Sequence, residues 1–548
     1  MRLFLVVRPS AVLIALASSA ALAAPPTLDH LFPAGVARGG SAEVTAAGKF
    51  DRWPVRGWSS SPGILIEAGA EKGKLTIRAA PDAPPGVHWV RVFDEEGASS
   101  PRPFLVGLVP EVSEVEPNDA PGSAQKVGAG PVTINGRLAK NGDVDGFSIR
   151  LRKGQTLVAA MEANRRLGSP MDGVLQVASP AGFVLAQVDD ENGRDPRIVF
   201  EAPADGEFLV RAFAFPFVQE SSIRFAGGAT FIYRLTLSAG PFVDHPFPMA
   251  VSRGESGEVE LSGWNIPEAA RRATVEAPGV DEEIVRLALS ALANEAEVRV
   301  VDLPAIVEAE PNALAAPQPI RLPVAISGRI DPSRDVDAFG FEAAKGDRID
   351  IRVESRSLGL PLDAVLRIED ARGNILAEVD DVKGTVDPET RFVVPADGPY
   401  RVSVRDLNGR GGPRHAYLLS VSVPRPDFSL SLKADQFPLA PGKPTEIAVA
   451  IDRRDGYGDP IEIGLEGHFD GVIAPTVTSF ASGPTAKNVT LRLSPCECAR
   501  TGPARVVGLG GDGRARPARA TVAGPGGSID SLWLSVPARS APALAPAR

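Results

Sequence analysis

The chain has 548 residues, with 55 Gly, 51 Pro, 44% hydrophobic and 23% charged residues. That composition excludes global disorder, and its Gly and Pro punctuation favours many short strands over roughly three to five domains. A net charge of −10 leaves no electrostatic footprint for nucleic acid, and five His, two Cys and four Met leave little material for a soft-metal, haem or iron–sulfur centre.

In chain order, residues 1–23 read as a secretory signal peptide. Arg2 and Arg8 precede the apolar run 11–17, and Ala21-Leu22-Ala23 supplies small residues for cleavage. The run is shorter than the ~20 residues of a membrane span. No Cys follows the cleavage position, and no later apolar run could cross a bilayer. The expectation is an exported protein of the periplasm, cell surface or extracellular space, with no transmembrane segment after cleavage. Without Arg2 and Arg8 the net charge becomes −12, compatible with plain solubility or with an oxygen-ligand cation such as calcium.

The remaining chain is a duplication. Residues 24–109 (module A) carry Asp29-His30-Leu31-Phe32-Pro33, Arg38-Gly39 and Glu43-Val44, which recur in 241–304 (module A′) as Asp244-His245-Pro246-Phe247-Pro248, Arg253-Gly254 and Glu258-Val259. A′ is shorter, and nothing in it matches the strand-like Gly86–Phe93 of A, so A′ is expected to lack that penultimate strand.

Residues 110–240 (module B) and 305–425 (module B′) repeat more closely. Glu114-Val115-Glu116-Pro117-Asn118-Asp119 answers Glu308-Ala309-Glu310-Pro311-Asn312-Ala313, and Asn135-Gly136-Arg137 answers Ser327-Gly328-Arg329. Asp143-Val144-Asp145 answers Asp335-Val336-Asp337, and Leu167-Gly168 with Asp172 answers Leu358-Gly359 with Asp363. Asp189-Asp190 answers Asp380-Asp381, and Pro203-Ala204-Asp205-Gly206 answers Pro395-Ala396-Asp397-Gly398. Across these motifs the offset stays at 191–194 residues. Each copy ends in a strand led by Tyr233 or Tyr417.

Period-two alternation at Phe147, Ile149 and Leu151, and at Ile349, Ile351 and Val353, marks strands with one buried face. Residues 426–525 continue the strand pattern, and 526–548 are read as a flexible tail. The fold class is all-β: a tandem array of β-sandwich domains, jelly-roll-like and immunoglobulin-like.

The ordered motifs of B and B′ resemble the bacterial pre-peptidase C-terminal (PPC) domain, a β-sandwich related to the collagen-binding domains of clostridial collagenases. A and A′ look more loosely like the immunoglobulin-like TIG/IPT class, with Gly263-Trp264-Asn265 resembling its turn. The PPC resemblance implies calcium, held in B by Glu114, Glu116, Asn118, Asp119, Asp143 and Asp145. In B′ the implied ligands are Glu308, Glu310, Asn312, Asp335 and Asp337, one carboxylate fewer because Ala313 replaces Asp119. Calcium wants six to eight hard oxygens, which two such segments can supply. The bland reading is a linker turn beside a solvated strand edge. Asp189-Asp190 and Asp380-Asp381 read as turn residues, and Asp172 and Asp363 as caps on backbone amides.

No His-Glu-x-x-His, Gly-x-Ser-x-Gly or phosphate-binding loop is present, and the repeats leave no unassigned stretch for a catalytic domain. The expectation is therefore a non-enzymatic binding or scaffold protein. Its partner would be an extracellular polysaccharide or protein or, alternatively, an exported hydrolase to which it is accessory. Trp53, Trp58 and Trp264 could serve a glycan-binding face or a core. Cys496 and Cys498 are expected to close a small disulfide loop rather than stay free or link chains.

Overall fold

A computed structural model describes residues 24–536 apart from 129, 192, 217–223, 281, 441, 467–468 and 523–526. The signal-peptide expectation lies outside the described residues. What they form is a tandem array of β-sandwiches, five in all, with short helical turns between strands.

Module A is a four-on-four sandwich. One sheet runs His30–Phe32, Ser41–Ala47, Lys74–Ala79, Ile64–Ala68, and the other Gly35–Ala37, Arg102–Gly107, Gly86–Phe93, Arg56–Ser59. The chain enters one sheet at His30 and crosses to the other at Gly35, where it pairs parallel to Arg102–Gly107. A′ repeats this plan three-on-three. The expectation about its missing strand is corrected: Ile284–Leu287 pairs antiparallel with Ala296–Val301 just where Gly86–Phe93 pairs with Arg102–Gly107. The strands without a counterpart among the described residues are Arg56–Ser59 and Ile64–Ala68. Strand Ile284–Leu287 was illegible because its four residues are half-buried or exposed and carry no apolar alternation.

B and B′ are five-on-five sandwiches with the same strand order. In B one sheet runs Gln125–Lys126, Asp145–Leu151, Gly206–Pro216, Met171–Ala178, Val184–Val188, and the other Arg197–Glu201, Thr156–Glu162, Ile232–Ser238, Val132–Arg137, Glu111–Ser113. The inward residues of the alternating strands meet in one core per module, around Phe147, Leu157 and Val210 in B and Phe339, Ile351 and Val402 in B′. Burying side chains of this size contributes roughly 1.5–3 kcal/mol each.

The fifth sandwich extends beyond 525. Ser528–Ile529 and Leu532–Ser535 are strands, and Trp533 is among the largest fully buried side chains. The tail assignment is therefore wrong up to Val536, and 537–548 lie outside the described residues. The short strand Leu532–Ser535, isolated after a Gly-rich stretch, carries too few residues to show a period. In the same module Cys496 and Cys498 form the expected disulfide, with Cα atoms 5.2 Å apart.

The modules pack on one another. Phe32 and Ala34 of A meet Leu167 and Ile232 of B, and the equivalent Phe247 and Met249 of A′ meet Leu358 and Ala416 of B′. The fifth module returns to the first: Trp533 packs against Phe93 and Trp58 with ring centroids 4.7 and 5.9 Å apart. Arg91 of A bonds Asp435 at 3.1 Å in the same contact.

Candidate metal centre at the module junctions

Each B-type module begins as the preceding A-type module ends, and the acidic motif lies on that first segment. In B the amide of Glu114 donates to the Asn135 carbonyl (3.0 Å), which extends the segment along strand Val132–Arg137. The Glu114 carboxylate then accepts from the Arg137 amide (2.9 Å). The Glu116–Pro117 peptide is cis, and the following Asn118 is fully buried, its amide donating to Glu116 at 2.9 Å. B′ reproduces each feature: Glu308 amide to Ser327 carbonyl at 3.0 Å, a cis Glu310–Pro311 bond, and the amide of buried Asn312 donating to Glu310 at 3.0 Å.

The Asp-Val-Asp motif arrives from the first long strand of the other sheet, so its second Asp points inward beside the acidic segment. In B, carboxylate oxygens of Glu114, Glu116 and Asp145 lie within 4.8 Å of one another, and so do those of Glu116, Asp119 and Asp143. Five carboxylates thus form two overlapping groups that share Glu116. In B′ only Glu308, Glu310 and Asp337 assemble. Asp335 does not join a second group: it accepts from its neighbour's amide, Val336 (2.9 Å), and with Ala313 at the Asp119 position the third carboxylate is missing. Asp143, by contrast, is buried and accepts from the Ala139 amide at 2.5 Å.

A tyrosine completes each cluster, and the sequence reading did not place it there. Tyr233 donates to Asp145 (2.5 Å), and Tyr417 donates to Asp337 (2.6 Å) and Glu308 (3.3 Å). The Asn-Gly-Arg and Ser-Gly-Arg motifs carry the signal that could have found it. Gly136 is the cross-strand partner of Tyr233, and a Cβ on it would sit 2.1 Å from the ring; Gly328 and Tyr417 repeat this at 2.3 Å. Only glycine lets the ring lie flat across the strand and bring its hydroxyl to the carboxylates.

Burying acids side by side shifts their equilibria. Burial pushes Glu114 up to about 7 and Asp145 to about 10, with Glu114 raising Asp145 further. Glu308 rises to about 7 and Asp337 to about 9 for the same reasons. Asp145 Oδ1, Asp337 Oδ1 and Glu114 Oε2 are buried with no hydrogen-bond partner among the described residues. This donor set fits calcium: hard oxygens only, some unsatisfied, spaced within the ~4.8 Å that separates opposite ligands at 2.3–2.6 Å from one ion.

The other singled-out acids divide. Asp189 and Asp380 accept from the next backbone amide (3.0 and 2.8 Å), as turn residues should. Asp363 is not an amide cap: its carboxylate takes the Arg356 guanidinium at 3.2 Å. The amides are instead held by Asp195, on Asn164 and Arg165 (2.7 and 3.0 Å), and by Asp387, on Arg356 and Ser357 (2.8 and 3.0 Å).

Trp53, Trp58 and Trp264 are half-buried and engaged by neighbouring side chains. Trp53 packs edge-on to Phe50 and donates to the Gly69 carbonyl (2.8 Å). Trp264 of A′ lies between the guanidiniums of Arg197 from B and Arg414 from B′, 5.1 and 5.2 Å from the ring centroid. Phe32 and Phe247 likewise sit under Arg137 and Arg329 at 5.0 and 4.2 Å.

No protein-family profile matches the chain. Over 100 residues it is 34% identical to a probable subtilase-type serine protease of Deinococcus radiodurans, covering 18% of this chain and 14% of that protein. Among solved structures it is similar to the pre-peptidase C-terminal domain of a Bacillus anthracis collagenase, at 22% identity over 19% of this chain and 93% of that one, TM-score 0.16. It is also similar to fibronectin(III)-like modules of Clostridium thermocellum CbhA, at 11% identity over 35% of this chain and 87% of that one, TM-score 0.14. By their own strand order the described residues are built as tandem β-sandwiches, and the modules to which the chain is similar are pre-peptidase C-terminal and fibronectin(III)-like ones.

Proposed function

We propose that this is an exported, non-catalytic binding and scaffold protein of the periplasm, cell surface or extracellular space, whose B-type modules contact polysaccharide or protein matrix. The observation that carries this reading is the double construction of the junction: the same Phe-on-Arg docking pair, the same leucine anchor and the same carboxylate–tyrosine cluster occur in both halves. A repeated contact unit accounts for that duplication. Calcium belongs to the proposal: Glu114, Glu116, Asp119, Asp143 and Asp145, with Asn118, hold it in B, and Glu308, Glu310 and Asp337, with Asn312, hold it more weakly in B′. Its charge there offsets the repulsion between carboxylates and ties the linker to the module. The Cys496–Cys498 bond supports an oxidising compartment, and no helix among the described residues is long and apolar enough to cross a membrane.

The hundred-residue match to a subtilase-type protease favours a second reading, an accessory to a separately encoded exported peptidase. Calcium-dependent unfolding tests the metal, and envelope binding against co-isolation with a hydrolase separates the readings. Unfolding in calcium at a hundredfold excess over its Kd should gain ~2.7 kcal/mol over chelator, with most of the gain lost in Asp145→Asn and less in Asp337→Asn. Sedimentation of the purified chain with isolated cell envelopes supports the first reading. Isolation of the chain only in a complex with one hydrolase, with no envelope binding, establishes the second. No calcium shift in any variant removes the metal from both.

A further inference from the structure

The two B-type modules share one edge hairpin, but only B′ keeps its charges. Strands Met171–Ala178 and Val184–Val188 pair antiparallel in B, as Ala364–Asp370 and Ile375–Val379 do in B′ at an offset of 191 residues. Over 364–379 B′ carries Arg367, Glu369, Asp370, Arg372 and Glu378; over the equivalent 173–188 B carries no charge at all. The exchanges come in partners. The cross-strand pair Arg367–Glu378 (2.6 Å) becomes Gln176–Gln187, whose side chains bond at 2.7 Å. Glu369, which holds Arg401 at 2.6 Å on the next strand, becomes Ala178 opposite Leu209. At the turn Asp370 holds the amides of Arg372 and Asn374 at 2.8 and 2.9 Å, whereas B has Ser179 in its place and Phe183 in that of Asn374.

What remains at the tip of B is apolar and faces water. Phe183 is 74% exposed, Val184 50% and Leu185 47%, and exposed Pro121 lies beside Gly182 of the turn. Ile375 and Leu376 of B′ are exposed too, but they stand among Asp370, Arg372 and Glu378. Charge resumes in the B hairpin only at its base, at Asp172 and Asp189, while Arg211 on the next strand bonds Gln176 at 3.2 Å. The turn also satisfies its own backbone, as a segment entering hydrocarbon must. The amides of Ser179 and Gly182 donate to the carbonyls of Phe183 and Ser179, both at 2.8 Å, and the Phe183 amide donates to the Ser179 hydroxyl at 3.2 Å. Pro180 has no N–H to satisfy. A second copy of the chain is a poor occupant, because a bulge interrupts the open edge of the sheet. Ala186 pairs with Val177 and Val184 with Ala178, which leaves Leu185 out of the ladder. A folded partner protein would need charges or directed hydrogen bonds to fix its register, and the tip's side chains offer it no charge. A lipid surface takes apolar side chains without register, and the chain's net charge of −10 favours an uncharged one.

We propose that the hairpin tip of B is a lipid contact, with Phe183, Val184 and Leu185 inserting into the surface of an uncharged bilayer while the equivalent tip of B′ stays in water. The contact goes beyond the scaffold reading and needs neither calcium nor an envelope polysaccharide, so vesicles of lipid alone, in chelator, test it separately.

The test is co-sedimentation of the full mature chain with sucrose-loaded phosphatidylcholine vesicles in chelator, with the bound fraction read against lipid concentration. Saturable binding by the parent is expected. The double variant Phe183→Asn, Leu185→Gln should need at least ~tenfold more lipid for half-binding, the scale of losing one or two buried apolar side chains. Both positions are exposed, so it should unfold as the parent does. In Phe183→Trp the added indole emission should shift to the blue on vesicles and be quenched by brominated lipid beyond the parent's background. Absence of binding by the parent, undiminished binding by the double variant, or an unquenched Phe183→Trp overturns the proposal. Dimerisation in analytical ultracentrifugation that the double variant abolishes, without vesicle binding, assigns the tip to a second copy of the chain and overturns it as well.

Discussion

Three of the histidines carry a pH dependence in their burial. His30, His88 and His415 are held below the ordinary value of 6.5, in each case chiefly by burial. His88 also faces the Pro84 carbonyl through Nε2 at 2.7 Å. The folded chain thus prefers the neutral ring, while the unfolded chain takes up a proton near 6.5. Their contribution to stability is complete above that pH and is lost as the pH falls below it. Urea unfolding of the parent and of His88→Gln from about pH 7.5 to about pH 5 should show the parent losing more stability on acidification. Equal slopes would contradict a buried neutral His88. At this scale the motifs were readable as motifs but not as contacts. Asp205 and Asp397 of the Pro-Ala-Asp-Gly turns accept from the amides of Lys153 and Lys345, both at 2.7 Å, so each turn is tied to a segment 52 residues earlier in the chain.

Among the elements, the short helical turns do more than their length suggests. Asn164–Leu167 ends at Gly168 with φ +65°, and Arg356–Leu358 ends at Gly359 with φ +81°. That left-handed position suits glycine and accounts for the Leu-Gly pair in both repeats. Asp195 and Asp387 hold the first amides of each turn, so the leucine is presented at a defined angle to the preceding module. Leu167 is buried against Ala34, Leu105 and Ile232. Leu167→Ala should cost about 2–5 kcal/mol of unfolding free energy, read by chemical denaturation. A cost below about 1 kcal/mol would show that A and B touch only loosely in solution. Period-two alternation made strands legible elsewhere in these modules, but a turn of three or four residues has no period, and its docking face is invisible until the partner module is in place.

For the whole molecule, the contact between first and last modules is the decisive feature. Arg91 is 1% exposed, lies over the rings of Trp58 and Trp533 at 5.6 and 5.3 Å, and bonds Asp435. Further pairs link the fifth module to A′ and B′: Arg514 to Asp302 at 2.8 Å and Arg391 to Asp455 at 2.6 Å. The exposed pairs contribute little, but removing one partner of the buried pair leaves an uncompensated charge. Asp435→Ala should therefore destabilise by about 3–5 kcal/mol, and Arg91→Leu should recover much of that in the double variant. Additive effects in the double-mutant cycle would mean that the first and last modules do not dock in solution. Of the tryptophans the sequence offered for a glycan-binding face, Trp53 packs within the first module, and Trp58 and Trp264 are engaged by residues of other modules, so the binding reading turns on the carboxylate clusters.

The amino-acid sequence by itself determined the all-β class, the duplication and the residues of the acidic motifs. Those properties are local: period-two burial, turn chemistry and repetition are all written along the chain. Tertiary structure decided which motif meets which. Tyr233 reaches Asp145 across 88 residues and Arg91 reaches Asp435 across 344. Strand pairing and module packing bring such groups together through apolar burial that no local pattern encodes. The described part of the tail joined the last sandwich, the truncated module regained its penultimate strand, and Asp335 was left outside a second cluster for the same reason. Each outcome depended on what a neighbouring segment offered in space, not on the residue's own sequence context.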